Sequence, residues 1–505
     1  MNYLNITPYF LILIIAAFTL GCQQEKYIGN PHEYNTVDLE DRWDTTRALE
    51  NPDKGWYHHI LDNGIGKYHI QDASLFREFP GMDHLYIRIA WAYLEPEEGE
   101  YDWSYIDEIV EKYVPEGYGI SFRISSKETG QAPTSYPKDV DGVGYATPYW
   151  VRQAGANGRV PDEFGPPVWS PDWGDPIYLE KLSNFHKAFA ERYDDKPWVR
   201  YVDIGSIGDW GEGHTHFSTR IPPTKEEIIA NMDVYLQHYK NTLIIATDDL
   251  IYWNKPEAIV NELLDYAVSN GISFRDDSPL VDYYVDNYLD TWSVSHAHFF
   301  ERVYQDHPTV FELQHYHHVK RDGNWLGKNG RDIIPAHGVS GADIFRNSIK
   351  LLRATYIGYH GYAEEWFTDN PDLTKELLNL SGYWYFPKNF RVEEAGSRNF
   401  SFTIGWLNKG VAPAYAAYQL KGKLTEAGNP NNVFLFEMED SGNTGWMPDN
   451  LHSESYTIRV AESLEGPFEF SIQLFDEKSG RPVEIGFSEE FRDEDGYYKI
   501  SIITF

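Results

Sequence analysis

Two glutamates stand where side chains could do chemistry on a bond between sugars. Glu212 lies in Asp209-Trp-Gly-Glu-Gly-His214, directly after the apolar run Tyr201-Val-Asp-Ile-Gly205. Glu312 ends a second apolar run, Thr309-Val-Phe-Glu312. Cleavage of a glycosidic bond needs one carboxyl group protonated, to release the leaving oxygen, and one ionised, to attack the anomeric carbon. In that scheme Glu212 and Glu312 are a candidate pair, one for each role. Trp210 would give Glu212 an apolar wall that raises its pKa, and neighbouring Arg or His would keep Glu312 ionised. Gly361-Tyr-Ala-Glu364-Glu365-Trp366 offers rival carboxylates if the strand count slips by one. Trp56, Trp91, Trp210 and Trp366 are candidate stacking platforms for sugar rings. His58, Arg88, Asp209, His214, Asp276, Glu364 and Glu365 are candidate polar contacts to hydroxyl groups.

Other chemistries find less support. His58-His59, His214-x-His216 and His315-x-His317-His318 fall near expected strand ends, yet no H-E-x-x-H spacing is present and no metal or other cofactor is expected. A G-x-S-x-G nucleophile turn and a Gly-rich phosphate loop are both missing from the sequence. Arg88, Arg123 and Arg275 could serve an anionic sugar or simply form core ion pairs.

Short β-rich runs alternate with helical stretches from Lys54 onward, which is the pattern of a parallel α/β fold. The expected strands are Gly55–Ile60, His84–Ile89, Gly119–Ile124, Arg200–Gly205, Thr242–Ala246, Gly271–Arg275, Thr309–Leu313 and Thr355–Tyr359. Eight such strands close a (β/α)8 TIM barrel, expected over residues 42–370. Helices are expected over Tyr105–Tyr113, Tyr178–Tyr193, Lys225–Tyr239, Pro256–Ser269 and Ile344–Ala354, and the long loop Lys127–Pro176 should shape the mouth. Beyond residue 370, runs such as Asn399–Trp406, Tyr418–Leu424, Ser455–Val460 and Phe468–Leu474 alternate apolar and polar residues. That period of two indicates an antiparallel β-sandwich over 371–505, a buttress more than a binding module.

Arg88-Ile-Ala-Trp91-Ala-Tyr-Leu-Glu95-Pro96-Glu-Glu-Gly99-Glu-Tyr101-Asp-Trp103-Ser-Tyr-Ile-Asp107 resembles the second-strand region of the beta-galactosidase-like clan (clan A) of retaining glycoside hydrolases. Glu50-Asn-Pro-Asp-Lys-Gly-Trp-Tyr-His-His59, Asp209–His214 and Trp406-Leu-Asn-Lys-Gly-Val-Ala-Pro-Ala-Tyr415 resemble the DUF4832 type of secreted bacterial protein, a barrel followed by a β-sandwich. The clan resemblance implies an acid/base at the end of the fourth strand and a nucleophile at the end of the seventh, where Glu212 and Glu312 fall. Gly211 stands where the clan usually carries Asn, so that contact to the sugar would fall to Asp209 or His214. The expectation is a glycoside hydrolase acting on an extracellular poly- or oligosaccharide, with a non-catalytic glycan-binding surface protein as the alternative.

Composition sets the setting. Across 505 residues, 78 acidic against 43 basic side chains give a formal charge of −35, which excludes a phosphate backbone as partner. Aromatic residues make up 16% of the chain, a usage that suits a ligand with faces to stack on. Leu11–Phe18 is an apolar stretch too short to span a membrane comfortably, and Thr19-Leu-Gly-Cys22 follows. This resembles a bacterial lipoprotein signal over 1–21, with acylation at Cys22, a tether over 22–41, and anchorage in the outer membrane after export across the inner one. Cys22 is the only cysteine, so stability must come from a large core.

Overall fold

The structure, a computed structural model, describes residues 36–137, 139–163, 165–277, 279–281, 293–325, 340–395, 399–460 and 464–505. Cys22 and the expected signal lie outside the described residues. Eight parallel strands close into a barrel: β1 Gly55–Ile60, β2 Met82–Ala90, β3 Gly119–Ser125, β4 Val199–Asp203, β5 Leu243–Thr247, β6 Ser273–Asp276, β7 Thr309–Glu312 and β8 Ala354–Gly358. Closure is made where β8 meets β1, with Ile357 beside Trp56 and Gly358 beside Tyr57. All eight coincide with the runs read from the sequence to within about two residues, the usual uncertainty of an element end.

Strand alternation divides the barrel into an apolar outside and a polar inside. On β2, Leu85, Ile87 and Ile89 pack outward beneath the helices, while Tyr86 belongs to a separate interior cluster with Tyr57, Tyr201, Ile245, Val310 and Tyr356. Two residues further along each strand the same inward face carries His59, Arg88, Arg123, Asp203, Arg275 and Glu312, all buried. The two layers are tied together at Asp203, which accepts from Tyr86 Oη at 2.6 Å and from Arg275 Nε at 2.7 Å. A barrel interior so rich in charge is stable only because the charges are paired.

The helices start where their sequences cap them. Asp175 accepts from Ile177 N and Tyr178 N to begin Pro176–Tyr193, and capping boxes at Thr224 and Ser340 begin Lys225–His238 and Gly341–Leu351. The long insertion after β3 folds back as two small hairpins. It is pinned by Lys127 and Glu163, a fully buried ion pair at 2.9 Å.

The antiparallel part begins at Tyr385, later than expected, because the helix Pro371–Leu380 buries Leu377 and Leu378 in the barrel core. Two sheets face each other over Phe390, Phe402, Leu424, Phe470 and Ile472. The expected tether ends sooner than Asp41, since Val37–Asp38 pair with Phe390 and Asn389 at the edge of one sheet. The sandwich docks against the N-terminal ends of the barrel strands: Lys54 Nζ donates to Tyr383 O at 2.7 Å, and Tyr415 Oη donates to Tyr304 O at 2.7 Å. Among the described residues, no helix is long and apolar enough to cross a membrane.

Candidate active site

Glu212 is presented by a loop that only its glycines allow. After β4 the chain turns through Gly208, Trp210, Gly211 and Gly213, all at positive φ. At Gly211 an added Cβ would lie 2.6 Å from the Cα and the carbonyl oxygen of Gly205, so no larger residue fits without moving backbone. Trp210 takes the left-handed conformation with a side chain, at a cost of about 1–2 kcal/mol. The loop is held from within by Asp209, whose carboxylate accepts from Phe217 N at 2.8 Å, Ser218 N at 3.1 Å and the Ser218 hydroxyl.

Across the barrel mouth, one carboxylate oxygen each of Glu212, Asp277 and Glu312 lies within 4.8 Å of the others. Arg123 stands between the two glutamates, with Nη1 3.3 Å from Glu212 Oε1 and Nη2 3.7 Å from Glu312 Oε1. Arg88 Nη1 approaches Glu212 Oε1 at 3.6 Å. Arg275 Nη1 donates to Glu312 Oε2 at 2.6 Å and approaches Asp277 Oδ2 at 3.2 Å. His214 Nε2 lies 3.3 Å from Glu212 Oε2.

This environment changes the titration of both carboxyl groups. Burial, and then the charge of Asp277, pushes Glu212 up to about 7 against the opposing pull of His214 and Arg123. Burial also raises Glu312, and there Arg275 and Arg123 oppose it. His214 loses basicity by burial but regains more from Glu212, Asp249 and Asp209, ending at about 9. It is therefore a cation at neutral pH, donating toward Glu212.

The structure brings Glu212, Glu312, Arg88, Trp210 and His214 to one mouth and sends the other candidates elsewhere. Trp56, Trp91 and Trp366 are completely buried, with their indole N–H groups donated to Thr374 O, Glu95 Oε2 and Thr374 Oγ1. They are core residues with no face free for a sugar, because they point outward from the strands or lie beneath the helices. His58 is likewise turned outward, held by Tyr68 O at 2.7 Å and by the Tyr359 hydroxyl. Asp209 serves the loop and does not reach the mouth with a free oxygen. Asp276 lies on the outward face of β6, and its neighbour Asp277 is the one that meets the glutamates. Glu365 is paired with Lys320 at 2.9 Å and Glu364 is exposed; both line a separate cavity of about 440 Å³ with His69 and Tyr362. Neither competes with Glu312 for the position opposite Glu212.

Sequence reasoning missed Asp62 and His360, named His59 only within a histidine pair near a strand end and Asp277 only within an acidic pair at a mouth, and offered Arg123 and Arg275 as contacts to an anionic sugar or as core ion pairs. Alternation along Ile120-Ser-Phe-Arg-Ile124 would have placed Arg123 inward; Gly55-Trp-Tyr-His-His-Ile60 has no such alternation, and its facing was not legible. Trp210 keeps a partly exposed ring at the mouth, 5.0 Å from Phe217, and Trp210, Phe217 and Trp253 surround His214.

Among the described residues, two groups have ligand-type atoms within 4.8 Å of one another: His59, Asp62 and His360, and Glu212, Asp277 and Glu312. Arg88 pairs with Asp62, and Arg123 and Arg275 pair with Glu312. A divalent cation in either place would sit against guanidinium groups, so neither donor set suits a resident metal.

Comparison with known proteins finds a family match in the first half of the barrel. Residues 67–206 match the beta-galactosidase model of glycoside hydrolase family 42. Beta-galactosidase BbgII of Bifidobacterium bifidum is 27% identical over 155 residues, 30% of this chain; the chain spans 18% of that relative's length. Among solved structures, endo-glycoceramidase II from Rhodococcus sp. aligns over 83% of this chain and 99% of its own, with 14% identity and a TM-score of 0.39. The catalytic domain of a beta-amylase from Paenibacillus polymyxa aligns over 62% of this chain and 92% of its own, with 10% identity and a TM-score of 0.40.

Proposed function

We propose that the chain is a glycoside hydrolase that works with retention of configuration, with Glu212 as acid/base and Glu312 as nucleophile. One observation carries the reading: two buried glutamates from the ends of β4 and β7 face each other with oxygens within 4.8 Å. Retaining enzymes hold the pair about 5–5.5 Å apart, whereas inverting ones leave about 6.5–9.5 Å for a water. The match of residues 67–206 to a beta-galactosidase family supports the same chemistry. Glu212, held near neutrality, can give its proton to the leaving oxygen and take one back from water. Arg275 and Arg123 favour the ionised form of Glu312 that attacks the anomeric carbon. Trp210, Phe217 and Trp253 offer rings on the Glu212 side, where the leaving group departs.

The test is a panel of poly- and oligosaccharides and aryl glycosides with product analysis. Cleavage with net retention is expected, and Glu212→Gln and Glu312→Gln should each abolish it while leaving ligand affinity largely intact. Binding without cleavage by the wild type across the panel would reduce the protein to a glycan-binding scaffold. The finer resemblance to the DUF4832 type, and with it export and acylation at Cys22, rests on the sequence motifs alone. Mass analysis of the N-terminus of protein from the membrane fraction should find an acylated Cys22, and Cys22→Ala should release the protein.

A further inference from the structure

Asp62, His360 and Glu312 stand in a row, and the chemistry above uses only the last. Barrel closure brings them together, since Asp62 follows β1, His360 follows β8 and Glu312 ends β7. His360 Nε2 lies 2.5 Å from Asp62 Oδ2, and His360 Nδ1 lies 3.4 Å from Glu312 Oε1. All three are buried, and the backbone of His360 is at φ 41°, a conformation that costs a residue with a Cβ about 1–3 kcal/mol. Strain of this kind persists only where surrounding contacts enforce it.

The proton positions follow from the partners. Burial would raise Asp62, but Arg88 and then His360 more than reverse this, so its carboxylate stays well below the ordinary range. An ionised Asp62 only accepts, and Arg88 Nε occupies its other oxygen. The hydrogen between Asp62 and His360 therefore sits on Nε2. That leaves His360 Nδ1, which has no hydrogen-bond partner, facing Glu312 Oε1.

We propose that His360, oriented by Asp62, takes the carboxyl proton of Glu312 and so delivers the ionised nucleophile. The step moves one proton from Glu312 Oε1 to His360 Nδ1 and changes no other bond; the imidazolium formed lies between two carboxylates. The logic is that of an orienting acid, an imidazole and a nucleophile, with a carboxyl group in place of an alcohol. The remaining groups around the pair fit this role. His59 stacks on the His360 ring at 3.9 Å and His315 approaches its ring at 3.7 Å; burial holds both well below the usual imidazole range, so neither adds charge beside an imidazolium. Tyr68 meets His360 edge-on at 5.7 Å, while Arg275, Arg123, Asp277 and His59 complete the surroundings of Glu312.

The proposal rests on the hydrolase reading of Glu312, so its test includes a readout without turnover. Nitrogen-15 histidine spectra of the full chain, assigned with His360→Gln, report the two ring nitrogens of His360. Nε2 should carry the hydrogen shared with Asp62, and the Nδ1 signal should move in both Glu312→Gln and Asp62→Asn. A signal unmoved in both variants overturns the proposal, whether or not any sugar is cleaved. On a cleaved substrate, His360→Gln and Asp62→Asn should move the acidic limb of kcat/KM up by about one unit and lower kcat about a hundredfold at neutral pH with little change in KM. A raised KM with the acidic limb in place would mark a merely structural role and also overturn it. His360→Gln leaves the Asp62–Arg88 pair intact, so the test stands even if Asp62→Asn does not fold.

Discussion

His214 and Asp277 pull the proton of Glu212 in opposite directions. The imidazolium of His214 stabilises the ionised carboxylate, and the negative charge of Asp277 destabilises it. An acid that must donate at neutral pH needs the second influence to balance the first, and burial then sets the level near 7. The basic limb of the pH–activity profile should report Glu212, because activity is lost as the acid deprotonates. His214→Gln removes a cation, so the limb should move up by about one pH unit; Asp277→Asn removes an anion, so it should move down by a similar amount. Profiles of kcat/KM for the two variants check this, and shifts of the same sign would assign the limb to another group. Trp210 was the expected source of the raised value; its ring packs against His214 and Phe217, and burial is the largest cause, with the charge of Asp277 second.

The loop between β4 and Glu212 explains why this chain departs from the clan pattern beside the proposed acid. Asn at 211 would need a Cβ within 2.6 Å of the Gly205 backbone, at a φ of 76° that favours glycine. Gly211→Asn should therefore lower stability by more than about 1 kcal/mol and displace Glu212 from Arg123, with activity lost and not gained. Thermal melting and turnover of that variant decide the matter, and a more active enzyme would refute the packing argument. At this scale the sequence was legible where local signals agree. The eight strands are short runs of β-branched and aromatic residues bounded by turn formers; Glu312 closes one, and Glu212 stands in the loop that follows another. Which side chain enters the barrel was legible only where polar and apolar residues alternate, as in His84-Leu-Tyr-Ile-Arg-Ile89. Trp-Tyr-His-His on β1 is amphipathic on both faces, so His58 was chosen where His59 enters, and Asp276 where Asp277 does. Three tryptophans read as platforms proved to be core for the same reason: an indole serves a sugar or a hydrophobic cluster equally well until its facing is known.

The molecule as a whole separates chemistry from support. Lys54, at the base of β1, donates to Tyr383 O and Asn379 O, and its ammonium is buried where the sandwich meets the barrel. Val411 reaches from the sandwich side into the barrel core, and Asn51 Nδ2 donates to Glu484 O. With contacts of this kind the two parts should unfold together, in one calorimetric transition, and a barrel cut after Ser381 should melt lower than the full chain. The junction also carries a pH dependence. Burial lowers Lys54 to about 7, while in the unfolded chain it titrates near the ordinary lysine value of about 10.4. Between these values the unfolded state binds the extra proton, so this group makes stability rise with pH, by up to roughly 1.4 kcal/mol per unit; below about 7 both states are protonated and the contribution is flat. Lys54→Met removes the titrating group, and its melting temperature should lack the rise that the wild type shows between about pH 7 and 9. Parallel curves for the two proteins over that range would mean that the ammonium is solvated at the junction, and that the sandwich does not seal the base of the barrel.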